Sequence, residues 1–281
     1  MKKQKTWIIT GANRGLGLEI AKAVLNSGDK VIATTRKNPE SLKEILNNEN
    51  ALVLTLDVTN EANTQKVAQQ AIDVFGKIDV LVNNAGFGLL SAVEEATDGE
   101  VRANYEANVF GLLNITRAVL PFMRKERSGH IINFSSVGGI TGITGWGVYG
   151  STKFAVEGIT EAMAIELKPL GIHATTVEPG FFRTDFLDES SLTRTQNVIE
   201  DYAETVGAMR DFATQVNKKQ PGDAKKLALA IVKLANAEKP PVHLPLGKDT
   251  LQMFKEKMTN FYAEIEEWHE IITGTDHDDV E

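Results

Sequence analysis

The sequence predicts one doubly wound α/β domain, built on a mostly parallel sheet of seven strands. Three observations carry this. Short β-branched runs alternate with helical patterns, which is the rhythm of strand–helix–strand units. The 281 residues, 42% of them hydrophobic, suffice for one large core. No Pro/Gly/Ser-rich linker and no internal repeat divides residues 1–281.

The strands read in order as "TWIIT" (6–10), "VIATT" (31–35), "LVLTL" (52–56), "IDVLV" (78–82), "HIINF" (130–134), "IHATTVE" (172–178) and "PVHLPL" (241–246). Their near-continuous apolar character is that of strands buried on both faces. Helical spacing falls near 16–27, 39–48, 61–75, 99–126 and 149–168. Residues 181–221 break the rhythm as a polar, helical insertion after the sixth strand, where such folds carry a lid. A C-terminal helix and acidic tail are expected over about 250–281, and the last seven residues, "TDHDDVE", carry four acids and read as disordered.

Charge and composition exclude several classes. A net charge of −8 argues against nucleic acid or an anionic membrane as partner. The absence of cysteine removes disulfides, thiolate catalysis and thiolate metal sites. His269, His277 and the tail aspartates are a weak metal-binding pattern, and no metal is expected. The basic start "MKKQKTWIIT" lacks the apolar length of a signal peptide, and no run is long enough to span a bilayer, so a cytoplasmic location is expected.

"TWIITGANRGLGLEIAKAVL" is a strand, a glycine turn and a helix in succession. Gly11, Gly15 and Gly17 let the backbone approach a pyrophosphate, and the helix N-terminus favours its charge. A nucleotide-binding fold that reads NAD carries Asp or Glu at the end of the second strand. This chain has Thr34, Thr35 and Arg36 there, with Lys37 behind and Arg14 inside the glycine loop. Two guanidinium groups suit a 2′-phosphate, so NADP(H) is expected in preference to NAD(H).

Tyr149 and Lys153 lie four residues apart at the start of a predicted helix, so phenol and ammonium share one face. The spacing alone leaves open a surface tyrosine beside an unrelated lysine. The motifs together decide more. "TGANRGLG" (10–17), "DV" (57–58), "NNAG" (83–86), "ANVFG" (107–111), "SS…YGSTK" (135–153) and "PGFFRT" (179–184) resemble, in order, the motifs of the classical short-chain dehydrogenases/reductases.

That resemblance implies a Rossmann-type domain and hydride transfer between a nicotinamide cofactor and a carbonyl or alcohol. It implies Tyr149 as general acid/base and Lys153 as the charge that lowers the phenol's pKa and holds the nicotinamide ribose. Ser136, 13 residues before Tyr149, would hold the substrate oxygen, and Asn108 a water that links Lys153 to solvent. Cofactor contacts carried over by motif are Gly11, Asn13, Arg14, Gly15, Leu16 and Gly17 in the loop, with Arg36, Asp57 and Val58 at the adenosine end. Asn83, Ala85, Gly86, Pro179, Gly180 and Thr184 join Tyr149 and Lys153 around the nicotinamide. The family's usual assembly is a homotetramer. The long C-terminus of this chain makes a homodimer the other reading.

Phe87, Val137, Ile143, Trp146, Phe182 and Phe186 fall in the loops that reach the reacting centre. An aromatic, apolar lining suits a small apolar carbonyl or alcohol, and the later segment resembles hydroxysteroid- and retinol-dehydrogenase-like reductases. Two alternatives stand beside this reading: a 3-oxoacyl-carrier-protein reductase, which needs a local basic patch, and a non-catalytic NADP-binding sensor.

Overall fold

Strand alternation builds the two-sided core. In the first strand, β1 (Thr6–Ile9), Trp7 and Ile9 point to one face of the sheet and Ile8 to the other, and all are fully buried. The computed structural model describes residues 4–277. After β1 come α1 (Gly15–Asn26), β2 (Lys30–Thr35), α2 (Pro39–Leu46), β3 (Ala51–Thr55), α3 (Glu61–Phe75) and β4 (Val80–Asn83). Next are β5 (Gly88–Leu90), α4 (Asp98–Tyr105), α5 (Gly111–Glu126), β6 (Gly129–Phe134), α6 (Gly147–Leu167) and β7 (Ile172–Pro179). The chain continues with β8 (Leu192–Arg194), α7 (Ala208–Val216), α8 (Ala224–Ala235), β9 (His243–Leu246), α9 (Lys248–Glu267) and α10 (His269–Thr273).

The seven long strands pair in the order β3-β2-β1-β4-β6-β7-β9, and every pair is parallel. Ile20, Val24, Leu42, Leu227 and Ile231 of α1, α2 and α8 close one face over Trp7, Ile9 and Val82. Val67, Ile115, Met123 and Met163 of α3, α5 and α6 close the other over Ile8, Ile32 and Leu81. The chain steps outward from β1 to β3, then returns to place β4 on β1's other side. This reversal opens a crevice beyond the C-terminal ends of β1 and β4, the ligand position of open α/β sheets.

Local signals set the helix ends. Asn60 accepts the Asn63 N–H at 3.0 Å to start α3, and Gly76, at φ 78°, ends it. Thr97 and Glu100 form a reciprocal capping box at α4. The single helix expected over 99–126 is α4 and α5 joined by a π-helical turn, Glu106–Phe110, which carries Asn108.

All seven expected strands form, and the sheet is wholly parallel. The 181–221 insertion is less helical than expected: α7 is its one α-helix, preceded by irregular chain, β8 and short 3₁₀ and π turns. β5 and β8 pair as a second small parallel sheet, Gly88 opposite Leu192, which ties the insertion to the loop after β4. Of the expected disordered tail, residues 278–281 lie outside the described residues. Among the described residues no helix is long and apolar enough to cross a membrane.

Candidate active site

The glycine loop and the end of β4 are stitched into one surface. Thr10 Oγ1 accepts the N–H groups of Asn84 and Ala85, each at 3.0 Å, while Asn84 Nδ2 donates to the carbonyls of Thr10 (2.9 Å) and Gly11 (3.1 Å). Gly15 opens α1 at φ +56°, a conformation that side chains resist. Gly17 is required for a different reason: a Cβ there would stand 2.4 Å from Gly11 O and 2.5 Å from Asn84 Nδ2. Gly11, Asn13, Arg14, Gly15 and Leu16 face a cleft of about 1200 Å³. Arg36, Asp57 and Val58 line the same cleft from the ends of β2 and β3. Ala85, Gly86, Pro179, Gly180 and Thr184 line it nearer the reacting end.

Asn83 departs from the expected cofactor set. Its amide donates to Thr116 Oγ1 (2.9 Å) and Asn133 Oδ1 (2.8 Å) inside the sheet, and Asn84 faces the cleft instead. Adjacent strand residues point to opposite faces, so only one of the two asparagines can face the ligand. Arg14 reaches across the cleft and donates to the Ser190 carbonyl of the lid, whereas the Arg36 side chain is exposed.

At the other end of the cleft, α6 presents Tyr149 and Lys153, each 7% exposed. Ser136, at the end of β6, lines the cleft with Tyr149 and accepts the Gly138 N–H at 3.1 Å. Ser135 turns to the Lys153 carbonyl at 3.3 Å, so Ser136 is the serine beside the phenol. Lys153 Nζ donates to Phe134 O at 2.8 Å and lies 5.6 Å from the Tyr149 ring centre.

Burial dominates both titrations. It pushes the Tyr149 phenol up, against the pull of the Ser136 hydrogen bond, and pushes the Lys153 ammonium down to about 8, against the pull of Glu157. In this structure the Lys153 ammonium is engaged by the Phe134 carbonyl.

Asn108 is locked to the loop after β4. Its Oδ1 accepts the Phe87 N–H (3.0 Å), and its Nδ2 donates to Phe87 O (3.0 Å) and Thr152 Oγ1 (3.1 Å). Lys153 is close by: a Cβ built on Gly86 would lie 2.7 Å from Asn108 Oδ1 and 3.9 Å from Lys153 Nζ.

Phe87, Val137, Ile143, Trp146, Phe182 and Phe186 all line the cleft. Trp146 stacks on Phe186 (centroids 6.2 Å apart, 20° between planes) and meets Tyr149 edge-on at 5.6 Å. The Tyr149 phenol thus sits against an aromatic wall. The lid above it is anchored by Glu95, which is fully buried and accepts the Ala92 (2.8 Å) and Ile199 (3.0 Å) N–H groups and the Arg210 guanidinium.

The motif reading missed Thr10, Asn84, Glu95 and Asp249. Strand parity after β4 was a signal for Asn84. Asp249 accepts the Phe181 N–H at 2.7 Å and lies where a Cβ on Gly180 would be, a contact across 68 residues with no local signal.

Comparison with known proteins agrees with this geometry. Residues 5–195 match the family described as short chain dehydrogenase. The chain belongs to the short-chain dehydrogenase/reductase family. This dehydrogenase is 38% identical over 270 residues to Oxidoreductase BOA17 of Botryotinia fuckeliana, covering 95% of this chain and 97% of the relative. It is 38% identical over 241 residues to the 3-ketodihydrosphingosine reductase of Bacteroides thetaiotaomicron, covering 85% and 87%.

A short-chain dehydrogenase structure from Streptomyces avermitilis superposes with a TM-score of 0.91 at 38% identity, covering 98% of this chain and 100% of that one. ElxO with NADP bound (TM-score 0.74, 27% identity, covering 89% and 100%) is a cofactor-bearing neighbour. Another is the Brucella melitensis 3-ketoacyl-(acyl-carrier-protein) reductase complexed with NADH (TM-score 0.73, 25% identity, covering 86% and 96%). A nicotinamide cofactor is supported for this dehydrogenase, and it is an oxidoreductase.

Proposed function

We propose that this dehydrogenase reduces an apolar ketone or aldehyde to an alcohol, with NADP(H) as cofactor and Tyr149 as the acid. The observation that carries the reading is the meeting of the glycine cradle and the aromatic pocket at Ser136, Tyr149 and Lys153 in one cleft. The cradle fits a dinucleotide: Gly11, Asn13, Arg14, Gly15 and Leu16 line the cleft where α1 begins, while Gly17, expected among the cofactor contacts, is buried behind the loop and lets α1 pack closely on Gly11 and Asn84. Arg14 and Arg36 would hold the 2′-phosphate, and Asp57 and Val58 the adenine.

When bound, the cofactor supplies the hydride; the protein's own residues manage position and proton. Ser136 would hold the carbonyl oxygen beside the phenol, and Tyr149 would donate its proton to that oxygen as negative charge develops. The Lys153 ammonium would then offset the charge left on the phenolate, turning toward it from the Phe134 carbonyl. Asn108 fixes the Phe87 backbone at the pocket edge. Trp146 and Phe186 exclude water and favour apolar substituents. A relative named as a 3-ketodihydrosphingosine reductase supports ketone reduction.

The test is NADPH and NADH oxidation measured in parallel against a panel of ketones and aldehydes. Arg36→Ala, alone and with Arg14→Ala, should raise the KM for NADPH by about 10- to 100-fold, the loss of one or two charge-assisted contacts. The KM for NADH should stay within a few-fold. Equal effects on both cofactors would refute the 2′-phosphate assignment.

A further inference from the structure

A second chemical site lies behind the cleft, and none of its three residues lines the cleft. Glu157 stands one helical turn beyond Lys153 on α6. Glu178 is near the end of β7, just before Pro179, and His243 opens β9 opposite Thr176. We propose that Glu157, Glu178 and His243 bind one divalent transition-metal ion, with zinc the best match to their geometry and donor set.

The spacing is that of a ligand shell. His243 Nδ1 lies 3.2 Å from Glu178 Oε1 and 3.4 Å from Glu157 Oε2, and the three ligand atoms all lie within 4.8 Å of one another. A tetrahedral zinc with bonds of about 2.0–2.1 Å has ligand–ligand edges of about 3.3–3.4 Å. One imidazole and two carboxylates are a zinc-type donor set. Calcium takes six to eight oxygens, which these residues do not offer.

An independent observation concerns unmet polar atoms. Glu157 is 8% exposed and Glu178 1%. Glu157 Oε1 and Glu178 Oε2 are buried with no atom in hydrogen-bond geometry, and Glu157 Oε2 faces the imidazole at 3.4 Å. Two carboxylates facing one another in a dry place need a cation or a proton between them.

The surroundings complete the pattern. Glu161 Oε1 lies 3.6 Å from the other ring nitrogen of His243, and a small shift of that exposed side chain would let it accept the ring N–H, as the outer carboxylate of a metal-bound histidine does. Thr176 Oγ1 donates to Glu178 Oε1 and orients that carboxylate. The His243 side chain is 48% exposed, which leaves an entry path. A bound ion would join the helix that carries Tyr149 and Lys153, the strand that leads into Pro179–Gly180, and the edge strand β9. It would act by positioning and stabilising these elements.

The test is calorimetric titration of chelator-treated full-length protein with zinc chloride, without reference to activity. Wild type should bind about one zinc per chain, and His243→Gln and Glu178→Gln should abolish binding. Glu161→Ala should weaken it by about 10- to 100-fold. Cobalt(II) in place of zinc should give the intense visible bands of a low-coordinate site. No saturable zinc binding by wild type, or undiminished binding by His243→Gln, would overturn the proposal. His243 is half exposed, so its variant decides the matter even where Glu178→Gln does not fold.

Discussion

Replacing Gly17 with alanine tests whether the glycine loop is a shaped cradle or an ordinary turn. The added Cβ would stand 2.4 Å from Gly11 O and 2.5 Å from Asn84 Nδ2. Ordinary carbon–oxygen contacts begin near 3.3 Å, so the Gly11 carbonyl or α1 must retreat by about 0.9 Å. Neither neighbour yields easily. Gly11 O is backbone, and Asn84 Nδ2 is committed to the Thr10 and Gly11 carbonyls. Overpacking of this kind costs about 1–3 kcal/mol, partly offset by the better helix propensity of alanine.

For a domain of this size each kcal/mol moves Tm by roughly 2–4 °C, so the clash corresponds to a fall of about 2–12 °C before the propensity offset is taken off. The displaced loop should also weaken NADPH by about tenfold or more, a loss of about 1.4 kcal/mol in binding. Thermal unfolding and NADPH fluorescence titration measure both. Gly158→Ala is the control, because Gly158 lies inside α6 with open space around its would-be Cβ. That variant should be neutral or stabilised by up to about 1 kcal/mol, with unchanged NADPH affinity. If Gly17→Ala behaved like Gly158→Ala, the steric argument for the cradle would fail.

Other expectations follow from the same geometry. Tyr149→Phe should lower kcat by at least about 10²-fold, the scale of general acid catalysis, while NADPH affinity stays within a few-fold; retained turnover removes Tyr149 from the mechanism. Lys153 should make stability rise with pH. Its folded pKa, about 8, lies below the ordinary lysine value, so the unfolded chain holds the extra proton between the two. That contribution is present above about pH 10.4 and lost as pH falls to 8, so wild type should gain on Lys153→Met by about 1.4 kcal/mol per pH unit within the window. Urea unfolding at pH 8 and 9.5 would detect it, and a pH-independent difference would contradict the burial argument. Glu95→Ala leaves Arg210, whose side chain is 16% exposed, without its partner and should cost about 3–5 kcal/mol. Limited proteolysis should then cut within residues 195–210, and an uncut lid at wild-type stability would remove Glu95 as its anchor.

Much of this architecture was legible before any coordinates. Seven apolar runs announced seven strands, because a strand buried on both faces must be apolar throughout. The glycine loop and the Ser136–Tyr149–Lys153 spacing are local features, readable because each lies within one turn, strand end or helix. Strand alternation separates Asn84 from Asn83, where the motif alone named the residue that is buried inside the sheet. β5 and β8 were not legible: strands of three residues show no period, and their pairing joins Gly88 to Leu192.

What the sequence determined by itself was the order of elements and the placing of Tyr149 and Lys153 on one helical face, since both depend on contacts a few residues apart. Only the tertiary structure decided what surrounds that pair. Tyr149 is buried against Trp146 and Phe186, which pushes its phenol up, and Lys153 is turned to the Phe134 carbonyl. The same holds for the Glu157, Glu178 and His243 cluster, drawn from a helix and two strands that meet only when the sheet closes. Burial and convergence are properties of the packed chain, and no local pattern encodes the dielectric that a side chain will meet.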